Sequence, residues 1–515
     1  MASGPGPTSS EPAEVYPVSE HPGAELVFGI CYALGTDVEP VLEALKDYIR
    51  RYNYKPEVVR ISDYLRNLKL DLEPRGDREA DRMHYLIDAG NKAREEAGRN
   101  GEEEHNDFLA LAAVAKIAET RSVGSDGSRE PHANTIHIIR SLKRPEEVER
   151  LRHIYREGFY LISIFASEKE RKEFLTVHKN LSENEANKLI ARDIEESDER
   201  WGQRTQKTFH LADAFVQLGE KKYEAELERF LDLVFCERFI SPTMDEYGMF
   251  LATAAAVRSS QPGRQVGAAI LNDTKDVLAV GCNEVPRPGG GSYSEGDDDD
   301  ARDHRLRKDS NDEAKREIEE DILRRLAPPL DRDKRPENLE GTLERTKLFD
   351  ITEYGRAVHG EMDAILACAR SGTCPRGAVL YVTTFPCHTC ARHIIGAGIK
   401  RVVYIEPYPK SRAGKLHGEA IALGEAAEPE GHKIPFVPFV GVGPRRYLDL
   451  FSMELGSGSH RVRKIDGQLL VDFDRSKVGG PRVAMMPTSY QEREELAVKE
   501  IHDTMERLEG NLLWR

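Results

Sequence analysis

No run of about 18 consecutive apolar residues occurs in this 515-residue chain, which excludes a membrane-spanning helix. The first 22 residues carry neither the basic segment nor the apolar core of a secretory signal. They are rich in Pro, Ser and Glu and read as a disordered tail, and the protein is expected to be cytoplasmic. Cysteine is sparse: seven residues, odd in number and scattered, fit a reducing compartment and exclude a disulfide framework. A basic stripe is also missing. With a formal charge of −16, the chain is not expected to bind bulk nucleic acid through its overall charge, although a local basic pocket can still hold one small nucleotide. No internal repeat stands out.

What is present is a globular composition, 39% hydrophobic and 32% charged, long enough for two or three domains. Its chemistry concentrates between His359 and Cys390. The order is His359-Gly360-Glu361, a small and apolar run, the short β-type segment Ala378 to Thr383, and then Pro386-Cys387-His388-Thr389-Cys390. One imidazole and two thiols suit zinc, and three protein ligands with a fourth position open is the pattern of a catalytic site. Glu361 is placed to move protons beside the metal. Ala357 to Arg370 reads as a helix with His359 and Glu361 in its first turn. Pro386 reads as a first-turn residue of a second helix reaching Ala397. Cys387 and Cys390, three apart, then share one helical face.

Plainer readings exist for each part. A lone C-x-x-C can be a redox pair or half of a structural zinc site, and an isolated H-x-E carries almost nothing. Together, in this order and with a strand between them, they match the H-x-E…P-C-x-x-C pattern of zinc-dependent nucleobase deaminases. Nearby, His388 and His393 read as surface residues rather than ligands, and Cys368 and Cys374 as structural.

The rest of the chain alternates helices and strands, which predicts an α/β fold with a doubly wound parallel sheet over 23–235. Glu25 to Cys31 reads as its first strand, followed by a glycine-containing turn and a helix from Val38. That context suits a phosphate-binding loop, with Gly29, Gly35, Thr36 and Asp37 as the candidate nucleotide-binding residues. Thr36 stands where such a loop needs lysine, so an ordinary strand-to-helix turn is the plainer reading of these residues alone. Arg140, Lys143, Arg144, Arg152 and Arg171 could grip phosphates, although solvated helix faces are the commoner reason for such charges. A second domain is expected over 241–425, with a charged insertion at about 287–345. Its acidic run Asp297 to Asp300 reads as solvated loop. Residues 426–515 are expected to form a C-terminal extension packing on this second domain.

Beyond the zinc pattern, further phrases match one family. They are Arg264-Gln265-Val266-Gly267-Ala268, Gly281-Cys282-Asn283, Asn283-Glu284-Val285-Pro286 with Gly289-Gly290-Gly291, Thr383-Thr384-Phe385-Pro386-Cys387, and Tyr404-Ile405-Glu406-Pro407-Tyr408-Pro409-Lys410-Ser411. The second domain resembles the cytidine and deoxycytidylate deaminase superfamily. The whole chain, over about 24–450, is similar to anti-phage dCTP deaminases, which carry an N-terminal P-loop kinase-like domain. The resemblance implies a three-layer α/β/α deaminase domain holding one zinc on His359, Cys387 and Cys390. It further implies Glu361 as the catalytic acid/base, Asn283 on the substrate sugar, and a self-associating homo-oligomer. Its substrate would be a free deoxycytidine nucleotide, dCTP or dCMP, whose deamination depletes dCTP during infection. A nucleotide at the N-terminal domain, in a sensing or scaffolding role, belongs to the same implication. Two other functions share this zinc site, a dCMP deaminase of thymidylate supply and a polynucleotide-editing deaminase. The third alternative is a nucleotide-responsive regulator that binds without turnover.

Overall fold

The computed structural model describes residues 23–507 apart from 69, 71, 73–75, 77, 99–104, 124–128, 195, 197–198, 220–222, 327–353, 406–410, 425–431, 459 and 486. The tail expected over 1–22 and the 327–345 part of the insertion lie outside the described residues. The described chain divides into two compact units: residues up to 246 with those from 438 onward, and residues 247–405 with 411–437.

In the first unit, β1 (Leu26–Tyr32), β2 (Lys55–Arg60), β3 (Thr135–Arg140), β4 (Phe159–Phe165) and β5 (Ala214–Gln217) form a parallel sheet in the order β5-β4-β1-β3-β2. Strand β1 (LVFGICY) is almost wholly buried and β4 (FYLISIF) completely so. Such continuous apolar runs are what central parallel strands need when both faces are covered. The chain leaves β1 toward β2 on one side and leaves β4 toward β5 on the other. Their C-terminal ends therefore flank a topological switch point, where open α/β sheets hold their ligands.

The sheet gains an antiparallel edge from far along the chain. Gly441 and Val442 pair with Phe215 and Ala214 of β5. Val442, Leu450 and Phe451 join Leu26, Phe28 and Ile162 in one buried cluster. Residues from 438 on thus belong to the first unit, whereas the sequence reading set 426–515 on the second domain. The cause is long-range polar pairing that no local pattern displays. Arg446 donates to the Glu157 and Phe159 carbonyls at 3.0 and 2.7 Å. On the helix Pro487–Arg507, Glu494 meets Arg121 at 2.8 Å.

The second unit is built on β6 (Gly267–Leu271), β7 (Val277–Cys282), β8 (Val379–Val382), β9 (Arg401–Tyr404), β10 (Ile421–Leu423) and β11 (Ile434–Pro438), in the order β10-β11-β9-β8-β6-β7. The β6–β7 hairpin is antiparallel and β8 runs parallel to β9. Across this sheet lies the helix Gly360–Ser371, and it comes very close at one glycine. A Cβ on Gly281 of β7 would lie 2.5 Å from the Gly360 carbonyl oxygen and nearer still to the Ala364 amide. Both are backbone atoms that cannot swing aside. Gly281→Ala is therefore expected to cost about 1–3 kcal/mol, measured as a lower denaturant midpoint.

In the insertion, the acidic run serves its own loop. Asp297 accepts from the Ser294 amide at 2.8 Å, and Asp300 takes Arg302 and Arg305.

Candidate functional site

Two helix starts create the site. His359 is the N-cap of Gly360–Ser371, in extended conformation (φ −68°, ψ 151°). The expected helix begins three residues late because Val358 is paired in extended form: its amide and carbonyl exchange hydrogen bonds with Glu284 at 3.0 and 3.2 Å. Cys387 is likewise an N-cap rather than a helical residue. Its Sγ accepts from the Cys390 amide at 3.4 Å and begins the helix His388–Gly396. Pro386 thus precedes the cap, and its carbonyl is held by the Ser411 hydroxyl at 2.9 Å.

The caps face each other. His359 Nδ1 lies 3.5 Å from Cys387 Sγ and 3.3 Å from Cys390 Sγ, and all three donor atoms fall within 4.8 Å of one another. Tetrahedral zinc, with bonds of about 2.3 Å to sulfur and about 2.0–2.1 Å to nitrogen, spaces such donors about 3.6 Å apart. The donor set and its spacing fit zinc. The same contacts set the protonation of the free donors. The hydrogen bond from Cys390 is the largest influence on the Cys387 thiol and, with His359 beside it, brings it down to about 3. The hydrogen bond with Cys387, followed by burial, pushes Cys390 up. His359 is raised chiefly by its bond to Cys387. One of the two sulfurs is therefore ready as a thiolate before a cation arrives.

Glu361, in the first turn behind His359, is 2% exposed. Burial raises its pKa above the usual carboxylate range, which makes it a better proton acceptor. Asn283 sits at the mouth of the β6–β7 hairpin with much of its amide already engaged. Its Oδ1 accepts from the Val266 amide at 2.6 Å, and Nδ2 donates to the Arg264 carbonyl at 2.8 Å, leaving one Nδ2 hydrogen. His393 turns outward to the Thr389 carbonyl at 2.7 Å. Cys368 is buried in the core and Cys374 is exposed.

Sequence reasoning passed over Glu284. Fully buried, it accepts from the Ser260 amide and hydroxyl at 2.7 Å each and from the Val285 amide at 2.9 Å. Its backbone is what holds Val358, so it fixes the approach to His359. A glutamate beside a Gly-Cys-Asn turn carries no spacing signal that separates it from a solvated one.

In the first unit the structure brings Gly35, Thr36 and Asp37 to one cavity but not Gly29. A Cβ on Gly29 would meet Leu142 at 2.6 Å and Phe159 at 2.8 Å, so its smallness serves packing inside β1. Gly35 has φ +90°, the left-handed turn that glycine permits. Of the cationic residues considered for phosphate, Arg140 and Lys143 line that cavity, while Arg144 and Arg152 are tethers. Arg144 donates to the Gly202 carbonyl at 2.5 Å and Arg152 to Asp213 at 3.1 Å. Lys143 donates to Asp193 at 2.7 Å.

Glu25, His132 and His137 form a second group with donor atoms close together. There the guanidinium of Arg121 already binds both oxygens of Glu25, at 2.9 and 2.8 Å. The positive charge a cation would bring is supplied by the protein.

Residues 242–406 match the family model described as the cytidine and deoxycytidylate deaminase zinc-binding region. The deoxycytidylate deaminase of Enterobacteria phage T2 is 47% identical over 57 residues, 11% of this chain and 30% of that protein. ComE operon protein 2 of Bacillus subtilis (strain 168) is 51% identical over 72 residues, 14% of this chain and 35% of that one. The deoxycytidylate deaminase of Homo sapiens is 28% identical over 162 residues, 31% of this chain and 63% of its own length. The chain thus spans about a third of the phage and Bacillus relatives. No helix among the described residues is long and apolar enough to cross a membrane. Over residues 242–406 the chain is thus similar to the cytidine and deoxycytidylate deaminases.

Proposed function

We propose that the second unit hydrolyses the exocyclic amine of a free deoxycytidine nucleotide, dCTP or dCMP, to give the deoxyuridine nucleotide and ammonia. One observation carries this reading: an imidazole and two sulfurs converge at zinc spacing with a buried carboxyl two residues from the imidazole. When bound by His359, Cys387 and Cys390, zinc supplies Lewis acidity, which lowers the pKa of a water it holds from 15.7 to about 7. The chain's own residues do the rest. Glu361 takes the proton of the attacking water and delivers it to ring N3 as oxygen adds to C4. It then takes the proton of the new C4 hydroxyl and passes it to the amine, which leaves as ammonia as the C4–N bond breaks and the carbonyl forms. Burial suits Glu361 to this exchange, because it brings the carboxyl's proton affinity closer to neutral pH. The free Nδ2 hydrogen of Asn283 is available to a sugar hydroxyl.

The net charge of −16 favours a free nucleotide over a polynucleotide. The larger reading is dCTP depletion in anti-phage defence by a cytoplasmic homo-oligomer, with the first unit holding a nucleotide in a sensing role. The relatives named deoxycytidylate deaminase favour dCMP as the second reading.

Purified full chain incubated with dCTP, dCMP, CTP, cytidine or single-stranded DNA, with products weighed by mass spectrometry, separates these functions. Deoxyuridine triphosphate from dCTP is the expected product. Turnover of dCMP alone moves the enzyme to thymidylate supply, and turnover of single-stranded DNA alone overturns the proposal.

A further inference from the structure

In the first unit a cavity of about 370 Å³ opens at the C-terminal ends of β1, β2 and β3, within the size range of small-ligand pockets. One wall is apolar, with Ile61, Leu65, Ile87 and Leu109 all nearly buried. Seven cationic side chains line it against five acidic ones, a local reversal of sign in a chain of net charge −16. Three of the residues that line it each carry a buried polar atom, Thr36 Oγ1, Arg94 Nε and Gln203 Oε1, with no hydrogen-bond partner among the described residues. Their side chains are 5%, 1% and 8% exposed. A buried polar group left unpaired carries its full desolvation penalty, so three around one cavity mark atoms that a ligand would satisfy. The charge of Arg94 is already paired with the buried Glu147 at 2.8 Å, so its Nε offers a ligand oxygen a hydrogen bond rather than an uncompensated charge. Gln203 Oε1 offers an acceptor to an N–H or O–H, and Thr36 serves either.

The strand-to-helix turn itself is taken. The Leu34 amide donates to Asp193 Oδ2 at 2.7 Å, while Lys143 holds Asp193 Oδ1 at 2.7 Å and the Tyr32 carbonyl at 2.7 Å. A carboxylate of the protein occupies the amide that a phosphate chain lying on this turn would use, and Lys143 is committed to that carboxylate.

We propose that this cavity binds a nucleoside carrying a single phosphate, held through Thr36, Arg94 and Gln203, and that Asp193 excludes longer phosphate chains from the turn. The inference deepens the nucleotide-holding role proposed for the first unit and is independent of deamination in the second. Its test is calorimetric titration of the full chain with AMP, GMP and dTMP and with the matching triphosphates, none of which offers a cytosine to the other site. At least one monophosphate should bind at one per chain, and at least 10-fold tighter than its triphosphate. Gln203→Leu and Thr36→Val should each weaken it 5-fold or more. Asp193→Asn, which removes the competing charge at nearly constant shape, should narrow the gap between triphosphate and monophosphate by 10-fold or more. Triphosphates binding as tightly as monophosphates in the native chain would overturn the single-phosphate assignment while leaving a nucleotide role for the unit. The absence of any binding that responds to Gln203→Leu or Thr36→Val would overturn the site itself. Neither result touches ammonia release by the second unit.

Discussion

Glu361→Gln is expected to slow ammonia release by about 10²–10⁴-fold, the usual worth of a positioned proton-transfer group, with zinc content unchanged. The substitution keeps the side chain's volume in a position that is 2% exposed, so the helix Gly360–Ser371 should pack as before. What is lost is the ability to accept a proton and give it back. Of the three donors Cys390 shares a hydrogen bond with the carboxylate, a contact that the glutamine side chain can keep, so metal analysis should still find about one zinc per chain. Loss of zinc together with activity would show instead that Glu361 builds the site. Full turnover with zinc bound would remove it from the chemistry.

The largest stability effect is expected at Arg121. Its guanidinium, buried between β1 and the C-terminal helix, binds Glu25 at 2.8 Å and Glu494 at 2.8 Å. Tyr490 and Tyr155 complete the network with hydroxyls at 2.7 Å from Glu25 and Glu494. Arg121→Ala leaves two carboxylates buried without a cation, at a cost of about 3–5 kcal/mol. Chemical denaturation of the variant should report it. Neutralising all three, with Arg121→Met, Glu25→Gln and Glu494→Gln together, should recover most of the loss, because no buried charge is then left unpaired.

The pH dependence of that loss has a definite sign. Burial acts to raise Glu25, but hydrogen bonds from His132, His137 and Arg121 outweigh it and hold the carboxyl far below its usual range. Its stabilisation is therefore full above the unfolded pKa of about 4.3 and drains away as the pH falls through that value toward the folded one. The stability gap between native protein and Arg121→Ala should be widest at neutral pH and shrink below about pH 4. A constant gap across that acidic range would exclude Glu25 as its source.

Much of the second unit could be read from residues in order. The donors for zinc are restricted to a few residue types, and a short β-type segment between two polar boxes can only be a strand that brings them to one side. What eluded such reading was the start of each helix. Periodicity places His359 and Cys387 inside helices, whereas the Val358–Glu284 pairing and the Cys387 Sγ cap put them one step outside. In the first unit, β1 and β4 announce themselves by continuous apolar residues. β2 (KPEVVR), with a single buried residue, does not. Asp193, Glu284 and Arg446 are charged residues whose burial is decided by partners tens to hundreds of positions away, and no local pattern encodes that.

The return of residues beyond 438 to the first unit bears on the order in which the chain is made. A ribosome completes 247–437 before it releases the strand that caps β5, the Arg446 anchor or the helix bearing Glu494. The second unit can close while the first still waits with an unpaired sheet edge and with Arg121 answered by Glu25 alone. The first unit is thus begun before the second and finished after it. A chain truncated after residue 437 should retain a folded second unit while its first unit is cleaved readily by protease.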